Sequence, residues 1–259
     1  MENVTLSTCR LFVFTDLDDT LFKSAADIHC GLSITATVDA SGETYARSSV
    51  QQQKLLEIMV ASGGLIIPVT GRSTRSFLNC KLPDVINSQF AIVSHGAVIL
   101  DAEHSLLKDW HTYLKCHFDL VEWENKLIKI CDHLNTHFKS KSKSSAIRVR
   151  LIVDQGITAY VCIKISKSSY TDDVSTEVNH LLSHILETEM LLHSNGRNFA
   201  ILPPYAQKKV AVDFLKAKMK VDQRDTVFGM GDSHSDLPFM SESDFLIVPG
   251  GAQILNEAK

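Results

Sequence analysis

The chain has 259 residues, enough for one large domain or two smaller ones with a buried core. Its 44% hydrophobic and 22% charged residues are typical of a soluble globular protein. The formal net charge of -4 argues against a nucleic acid or an anionic membrane as partner, because either would need a basic face.

Three further features favour a cytoplasmic protein. No run approaches the roughly 18 apolar residues that a membrane-spanning helix needs. The first residues, Met1 to Val4, lack the basic and apolar regions of a signal peptide. The six cysteines are scattered without a Cys-x-x-Cys pair, which predicts reduced thiols.

A cluster of carboxylates follows the first predicted strand. The apolar run Leu11–Phe14 predicts a buried strand, and Asp16, Asp18 and Asp19 come directly after it. Neighbouring carboxylates raise one another's pKa, so such a cluster usually persists because a cation or a reaction needs it. The alternative is an acidic turn in which Asp18 or Asp19 caps a helix. This stretch alone leaves both interpretations open.

The next segment predicts a β-hairpin and then a return to the sheet. Strands Ser33–Val38 and Glu43–Ala46 flank a turn, and we expect this hairpin to form a substrate-facing flap beyond the carboxylates. The spacing of apolar residues over Ser49–Ala61 predicts an amphipathic helix. A second buried strand, Leu65–Val69, follows it.

The second strand also ends in polar residues, Thr70-Gly71-Arg72. We predict a helix from Ser73 to just before Pro83, and then strands at Phe90–Val93 and Ala97–Leu100. Strands that alternate with crossovers predict a parallel sheet with helices on its faces. Ligands of such sheets bind beyond the carboxyl ends of the strands.

The middle of the chain predicts a helix followed by two strands, twice over. The predicted elements are the helices Val121–Phe138 and Thr171–Glu189 and the strands Ile147–Val153, Ala159–Ile165, Met190–His193 and Phe199–Leu202. This order indicates a small α+β domain at residues 109–202, inserted into a core domain made of residues 1–108 and 203–259.

The parallel pattern resumes after the insert. Helix Ala206–Lys220 carries Lys208 and Lys209 in its first turn. Strand Thr226–Met230 follows and ends in Gly231-Asp232-Ser233-His234-Ser235-Asp236, and Phe245–Val248 predicts a last short strand.

Placed together beyond the sheet, the strand ends supply several carboxylates, a hydroxyl group and an ammonium group. This set suits Mg²⁺, which prefers hard oxygen ligands, and a phosphoryl group, whose charge must be neutralised during transfer. Asp16 is placed to attack phosphorus. Asp18 is placed to give a proton to the leaving oxygen and later to activate water.

Four motifs of the sequence, in this order, resemble those of the haloacid dehalogenase superfamily: Asp16-Leu17-Asp18-Asp19-Thr20, Thr70-Gly71-Arg72, Lys208-Lys209-Val210-Ala211-Val212 and Gly231-Asp232-Ser233-His234-Ser235-Asp236. The insert resembles the cap of its sugar-phosphatase branch, which has Cof-type, sucrose-phosphatase and mannosyl-phosphoglycerate phosphatase members. The resemblance implies an α/β fold, with a Rossmannoid core around a parallel sheet and an inserted α+β cap domain.

The resemblance also implies a role for each motif residue. Asp16 is the nucleophile and a metal ligand, and Asp18 is the acid and base and lends its backbone carbonyl to the metal. Thr70 and the Gly71 amide hold the phosphoryl oxygens. The metal is Mg²⁺.

The remaining two motifs complete that site. The resemblance assigns Lys208 to neutralising Asp16 and the phosphoryl group, Asp232 to binding the metal and Asp236 to supporting it. Two departures stand out. Lys209 replaces the glycine of the family pattern Lys-Gly-x-Ala, which leaves the choice between the two lysines open although Ala211 favours Lys208. Ser235 stands where asparagine is common.

Four further residues are candidates for contact with the substrate. Arg72 lies next to the threonine motif, with a helix-surface position as the alternative. Asn195 and Arg197 lie on a turn of the predicted cap, where they either set substrate choice or form a plain hairpin turn. His95 also lies near a strand end.

The predicted function is a magnesium-dependent phosphatase for a small phosphorylated metabolite, most plausibly a sugar phosphate. A phosphomutase and a non-catalytic phosphometabolite-binding protein are the alternatives. The expected partner is a small-molecule phosphate ester, and the sequence leaves monomer and homodimer open.

Overall fold

The computed structural model describes residues 9–28, 32–140 and 146–256. The first residues, Met1 to Val4, and one of the six cysteines, Cys30, lie outside these ranges. The five cysteines within them, which are free thiols, are Cys9, Cys80, Cys116, Cys131 and Cys162. No helix in the described ranges is both long and apolar enough to cross a membrane.

The described residues form strands and helices that alternate along much of the chain. The strands are β1 Leu11–Thr15, β2 Lys23–Ser24, β3 Ser33–Val38, β4 Thr44–Ser49, β5 Gly64–Pro68, β6 Ala91–Val93, β7 Val98–Leu100, β8 Ile147–Asp154, β9 Ile157–Ile165, β10 Leu191–Asn195, β11 Asn198–Leu202, β12 Thr226–Met230 and β13 Phe245–Ile247. The α-helices are α1 Val50–Ala61, α2 Thr74–Phe77, α3 Pro83–Ile86, α4 Lys108–His117, α5 Leu120–Ser140, α6 Asp172–Ile185, α7 Lys208–Lys218, α8 Leu237–Met240 and α9 Gln253–Asn256.

The chain divides into two compact units. The core unit comprises Met1–Leu107 and Lys208–Lys259, and the cap unit comprises Lys108–Gln207. The predicted insert, residues 109–202, falls within the cap unit.

The core unit is built on a parallel sheet with the strand order β13-β12-β1-β5. A parallel bridge between Val69 and Ile92 places β6 beside the end of β5, and β7 pairs with β6 in an antiparallel hairpin. Phe12, Val13 and Phe14 of the central strand are fully buried. Burial on both faces explains why this strand is a continuous apolar run rather than an alternating one.

The register of the sheet aligns the ends of its strands. Thr15 pairs with Pro68 on one side and with Met230 on the other. The polar residues that follow these strands therefore begin at one level, at the carboxyl edge of the sheet. This alignment confirms the predicted parallel core.

A capping box fixes the start of α1. The Ser49 side chain accepts a hydrogen bond from the Gln52 backbone, and the Gln52 side chain accepts one from the Ser49 backbone. Two donors that the first turn of a helix leaves unpaired are thus satisfied.

The hairpin that the sequence predicts is present, with a third short strand beside it. β3 pairs with β4, and β2 pairs with the other edge of β4. The turn is closed by Asp39, whose carboxylate accepts hydrogen bonds from the backbone of Ser41 and Glu43. Gly42, with φ of 87°, supplies the left-handed residue of this turn.

The cap unit contains an antiparallel sheet with the order β10-β11-β9-β8. α5 packs against β8 and β9 through an apolar stripe that includes Trp123, Leu127 and Leu134. α6 presents the buried residues Val178 and Leu182. The repeated order of helix, strand and strand confirms the predicted α+β cap.

The structure corrects several predicted elements. The helix predicted from Ser73 to before Pro83 ends at Phe77, and the following Cys80 instead forms a bridge with Thr37 of the hairpin. The short helix α3, which begins at Pro83, and α4 were not predicted. α3 begins with a proline because the first helical position needs no N–H donor.

Candidate active site

The backbone at the carboxyl edge of the core sheet places the motif residues next to one another. The Asp16 N–H donates to the Met230 carbonyl at 2.8 Å, and the Thr70 N–H donates to the Ile92 carbonyl at 2.9 Å. These bonds extend the strand pairing by one residue beyond β1 and connect the second motif to β6. The first two motifs and the one after β12 thereby lie along one edge.

Lys208 joins the first and last motifs. It is the first residue of α7, and its Nζ donates to Asp16 Oδ1 at 2.7 Å and to Asp236 Oδ1 at 2.6 Å. All three side chains are at most 8% exposed. Hydrogen bonds between charged groups at such distances are the strong ones, and here water is largely excluded from them.

Three carboxylates face one another around this lysine. Oxygen atoms of Asp16, Asp232 and Asp236 lie within 4.8 Å of one another, and all three residues are buried. The second oxygen of Asp236 accepts hydrogen bonds from the Ser233 backbone at 3.0 Å and from the Ser233 hydroxyl at 2.7 Å. Since Asp236 is occupied on both oxygens, it holds Lys208 and the loop after β12 in place.

The loop after β12 depends on a glycine. A Cβ atom on Gly231 would lie 2.5 Å from Cβ of Asp236, closer than side-chain atoms approach one another. The Asp236 side chain can therefore fold back over the backbone only because residue 231 has none. This close approach explains why the motif begins with glycine.

The surroundings raise the pKa of two of these carboxylates and lower the pKa of the third. Burial raises the pKa of Asp16 well above its usual value, and the attraction of Lys208 offsets only part of that. Burial, followed by repulsion from Asp236 and Asp19, raises the pKa of Asp232 to about 6. For Asp236 burial acts in the same direction, but Lys208 and the Ser233 hydrogen bonds outweigh it and lower the pKa. One lysine thus leaves negative charge at Asp16 and Asp232 incompletely balanced.

Lys208 itself stays protonated. Burial alone would lower its pKa, but the attraction of Asp16 and Asp236 outweighs the burial and raises it. Lys209 points elsewhere, because its Nζ is paired with Asp213 at 2.7 Å and with Glu242 at 2.6 Å. The structure thus brings Lys208, and not Lys209, to the carboxylates.

Asp18 is not one of the three clustered carboxylates and is held by Arg72. Nε and Nη2 of Arg72 donate to the two oxygens of Asp18, both at 2.6 Å. This is a bidentate pair, which fixes orientation as well as distance. The Arg72 side chain is 11% exposed and that of Asp18 is 46% exposed, so the carboxylate lies at the open side of the pair.

Arg72 also contacts the hairpin. Its Nη1 donates to the Thr37 hydroxyl at 3.3 Å, and its guanidinium lies 5.0 Å from the ring centre of Phe22 and 5.8 Å from that of Tyr45. A guanidinium over aromatic rings gains cation–π attraction. The sequence interpretations of Arg72 were contact with substrate or a helix surface. Its side chain contacts Asp18, Phe22 and the hairpin. The hairpin was expected beyond the carboxylates, but Thr37 and Tyr45 were not singled out within it.

An unusual backbone segment lies beside the threonine motif. Ser94, His95 and Gly96 follow β6 with φ values of 50°, 58° and 107°, and all three are buried. The His95 N–H donates to the Thr70 carbonyl at 3.1 Å, and the His95 ring covers Gly71 so closely that a Cβ there would lie 2.5 Å from Cε1. Consecutive non-glycine residues in the left-handed region are strained, and such strain is concentrated at functional sites.

Asp19 occupies a turn and caps no helix. Its φ is 58°, and the carbonyl of Leu17 accepts the N–H groups of Thr20, Leu21 and Phe22 instead. The alternative in which Asp18 or Asp19 caps a helix is therefore wrong, because no helix follows them in the described residues before α1.

Asn195 and Arg197 lie in the cap unit, at the turn between β10 and β11. Asn195 is exposed, and Nη1 of Arg197 donates to the Ile165 carbonyl at 3.4 Å. Their predicted contact with substrate stays a prediction.

The comparison with family models decides to which family the chain belongs. The model of the sucrose-6F-phosphate phosphohydrolases matches residues 9–253, nearly the whole chain. The chain belongs to this family. It is therefore a phosphatase of the haloacid dehalogenase superfamily that acts on phosphate monoesters, within a family of sugar phosphatases.

Solved structures share the fold of this phosphohydrolase at low sequence identity. The sucrose-phosphatase of Synechocystis sp. PCC6803, solved with sucrose and phosphate, is 16% identical, with a TM-score of 0.58 over 96% of this chain and 87% of that chain. The C-terminal domain of the C. albicans trehalose-6-phosphate phosphatase is 15% identical, with a TM-score of 0.55 over 90% and 73%. A Thermoplasma acidophilum protein is 15% identical, with a TM-score of 0.53 over 96% and 89%. A search of curated proteins by sequence finds no significant match.

Proposed function

We propose that this phosphohydrolase hydrolyses a small phosphorylated metabolite, a sugar phosphate, in a magnesium-dependent reaction through an aspartyl-phosphate. The observation that carries the proposal is the buried cluster of Asp16, Asp232 and Asp236 around Lys208 at the carboxyl edge of the sheet. The family membership supports the reaction type, and the cluster supports these residues as its machinery.

The donor set fits Mg²⁺. The cluster offers hard carboxylate oxygens, and burial raises the pKa values of Asp16 and Asp232, whose ionised forms a cation would stabilise. Because Asp236 is engaged by Lys208 and Ser233, we assign Asp16, Asp232 and the Asp18 backbone carbonyl to the ion and a supporting role to Asp236. When bound, Mg²⁺ supplies charge neutralisation for the phosphoryl oxygens.

The first half of the reaction transfers the phosphoryl group to the enzyme. A carboxylate oxygen of Asp16 forms a bond to phosphorus while the bond from phosphorus to the sugar oxygen breaks. Lys208 balances the charge on Asp16 and on the phosphoryl oxygens, and Thr70 and the Gly71 amide hold those oxygens. Asp18, in its protonated form, gives its proton to the departing sugar oxygen.

The second half restores the enzyme. Asp18, now ionised, takes a proton from water, and the water oxygen bonds to phosphorus as the bond between phosphorus and Asp16 breaks. Inorganic phosphate leaves, and Asp18 again carries a proton. In the structure Arg72 donates to both oxygens of Asp18, so this contact must open at one oxygen before Asp18 gives or takes a proton.

The substrate class follows from the family. Its members are named for the phosphate ester of a disaccharide, and a solved structure of the same fold holds sucrose and phosphate. We therefore propose a phosphorylated sugar as the substrate of this chain, with the hydroxyl-bearing sugar as the leaving group.

The test removes the nucleophile with the smallest possible change. Asp16→Asn should abolish phosphate release from a panel of sugar phosphates and leave the far-ultraviolet circular dichroism unchanged, because the amide keeps the shape and loses the nucleophilic charge. Asp132→Asn, on the exposed face of α5, is the matched control and should keep full activity. Excess EDTA should stop the wild type, and added Mg²⁺ should restore it.

The same assay separates the competing functions. Free inorganic phosphate accumulates only if water accepts the phosphoryl group, whereas a phosphomutase returns it to a sugar. Full turnover by Asp16→Asn would contradict the mechanism. A folded wild type that releases no phosphate from a broad panel in the presence of Mg²⁺ would contradict the proposed function.

A further inference from the structure

Two helices of the cap unit each carry a pair of histidines one turn apart. His133 and His137 lie on α5, and His180 and His184 lie on α6. Residues four apart are neighbours on one face of a helix. The ring centres are 6.5 Å apart in the α5 pair and 4.3 Å apart in the α6 pair. Two imidazoles at this spacing on a helix can bind one transition-metal ion.

A groove between the two helices brings three of these histidines together. His137 lines the groove from α5, and His180 and His184 line it from α6. Glu177, one turn before His180, lines it as well. We call these four residues the histidine groove, which encloses a cavity of about 280 Å³ and belongs entirely to the cap unit. The remaining lining residues are apolar: Phe138, Ile147, Val178 and Leu181.

The hydrogen bond of His184 fixes which ring nitrogen can bind a metal. Its Nδ1 lies 2.7 Å from the backbone carbonyl oxygen of His180. A carbonyl oxygen only accepts, so Nδ1 carries the proton and Nε2 of the neutral ring carries the lone pair. Histidines that bind metals commonly donate their other ring N–H to a backbone carbonyl, which holds the ring in orientation. His184 therefore already has the tautomer of a metal ligand.

His117 on α4 has the same backbone contact without a second imidazole. Its Nδ1 donates to the Tyr113 carbonyl at 2.8 Å, and its ring stacks on the Tyr113 ring at 4.0 Å between centres. The residue one turn earlier is thus a tyrosine on α4 and a histidine on α6. His117 does not line the histidine groove, so it provides a matched control for the residues that do.

The donor set selects the kind of ion. Imidazole nitrogen suits Zn²⁺, whereas Mg²⁺ prefers hard oxygen ligands such as those of the core cluster. Three imidazoles and a carboxylate supply the four ligands of a tetrahedral zinc site.

Binding requires the side chains to turn toward one another. The ring nitrogens of His137, His180 and His184 do not all lie within 4.8 Å of one another in the structure, so an ion must draw them together. His180 and His184 are exposed and His137 is half-buried. Their side chains can therefore move between staggered rotamers without repacking the core.

We propose that the histidine groove binds Zn²⁺ between α5 and α6, with its three imidazoles and one carboxylate as ligands. Only two of the 14 residues of α6 are buried, so few apolar contacts hold this helix. An ion bound by both helices links α6 to α5. Because the folded groove binds the ion and the unfolded chain has no such groove, Zn²⁺ stabilises the folded protein. The inference is independent of the proposed function.

Calorimetric titration of Zn²⁺ into the metal-free full chain measures the site, with millimolar Mg²⁺ present to occupy the core cluster. We expect a micromolar Kd. His137→Gln and His180→Gln should each weaken binding at least tenfold, because loss of even an outer hydrogen-bond partner of a metal ligand costs about 10–100-fold. The control His117→Gln should leave the Kd unchanged.

A second measurement identifies the ligand atoms. Cu²⁺ binds such donor sets more tightly than Zn²⁺ does, and it is paramagnetic. Its electron paramagnetic resonance spectrum shows nitrogen splitting when imidazoles are bound and none when carboxylates alone are bound. The splitting should be present in wild type and in His117→Gln and should show fewer nitrogens in His180→Gln.

Thermal melting separates loss of a ligand from a folding defect. Without Zn²⁺, wild type and the three variants should melt alike and give the same far-ultraviolet circular dichroism. With Zn²⁺ in excess of the Kd, the Tm of wild type and of His117→Gln should rise, and the Tm of His137→Gln and His180→Gln should stay near the metal-free value.

Several results would overturn the proposal. Equal zinc affinities in wild type, His137→Gln and His180→Gln would do so, as would copper spectra without nitrogen splitting. Binding that is weakened in His180→Gln and kept in His137→Gln would place the ion on α6 alone and would also overturn a link between the helices. A wild-type Kd in the millimolar range would mark the binding as adventitious. None of these measurements depends on phosphate release.

Discussion

Lys208→Met is the substitution that tests the site most directly. It removes the ammonium group that donates to Asp16 at 2.7 Å and to Asp236 at 2.6 Å, and it keeps a side chain of similar length. Lys209→Met is the matched control one residue along α7, where the ammonium is paired with Asp213 and Glu242 on the surface. The family pattern left the choice between the two lysines open.

The expected loss of stability follows from burial. Removing one partner of a buried ion pair costs about 3–5 kcal/mol, because the remaining charge stays buried without compensation. For Lys208 two buried carboxylates remain, so we expect this range and a fall in Tm of roughly 10 °C. The side chain of Lys209 is 36% exposed, and exposed pairs contribute about 0–1 kcal/mol, so Lys209→Met should melt close to wild type.

The melting experiment should be run with EDTA and again with Mg²⁺. Without the ion, Lys208→Met leaves the carboxylates of Asp16, Asp232 and Asp236 facing one another, and the full loss should appear. With the ion, part of the charge is balanced again and the loss should shrink. A loss that is the same in both conditions would contradict metal binding at this cluster.

Catalytic activity should distinguish Lys208→Met from Lys209→Met more clearly than the melting temperature does. Loss of a preorganised positive group next to the transferring phosphoryl group lowers kcat by about 10²–10³. Phosphate release by Lys208→Met, measured below its melting temperature on protein shown to be folded by circular dichroism, should fall by that factor. Lys209→Met should stay within about threefold of wild type. Wild-type turnover in Lys208→Met, or an equal loss in Lys209→Met, would refute the assignment.

Two further substitutions test the packing around the site and a pair far from it. Gly71→Ala would place Cβ 2.5 Å from Cε1 of His95, so it should lower the free energy of unfolding by about 1–3 kcal/mol and raise KM. The control Gly250→Ala, with no atom within 4 Å of the new Cβ, should change neither quantity. Equal denaturation curves for the two variants would contradict the close contact at Gly71. Asp225→Asn loses the ion pair with Arg10 and should destabilise the fold by about 1 kcal/mol at neutral pH. Because Arg10 lowers the pKa of Asp225 to about 2, the contribution of the carboxylate is present above its unfolded-state pKa of about 3.9, and the gap between wild type and variant in urea unfolding should close as the pH falls toward 2.

The core strands could be predicted from the sequence because burial dictates their composition. Thr226–Met230 was predicted with the bounds that β12 has, and Leu11–Phe14 is one residue shorter than β1. Both are short, largely buried runs that end in acidic motifs. The register then follows from the fold, since parallel strands that share a carboxyl edge bring their terminal motifs together.

The contacts of Arg72 could not be predicted in the same way. Arg72 and Asp18 are 54 residues apart, and their bidentate pair depends on side-chain conformations that no spacing encodes. The left-handed backbone conformation of Ser94 and His95 was also not predicted, because neither residue type favours positive φ as glycine does. A polar Ser-His-Gly run at the end of a buried strand was the only available signal, and it marked His95 as near the site without giving its conformation.

The acidic cluster of the core unit is only partly balanced by the protein's own charges. In the core, Lys208 lies 192 residues from Asp16 in the sequence and balances part of the charge of three buried carboxylates. Burial, followed by repulsion from Asp236 and Asp19, raises the pKa of Asp232 to about 6, so the ionised form of this carboxylate is poorly stabilised by the protein alone. A cluster of like charges is destabilising in the free protein, and this cost supports the proposal that a cation binds to the acidic cluster.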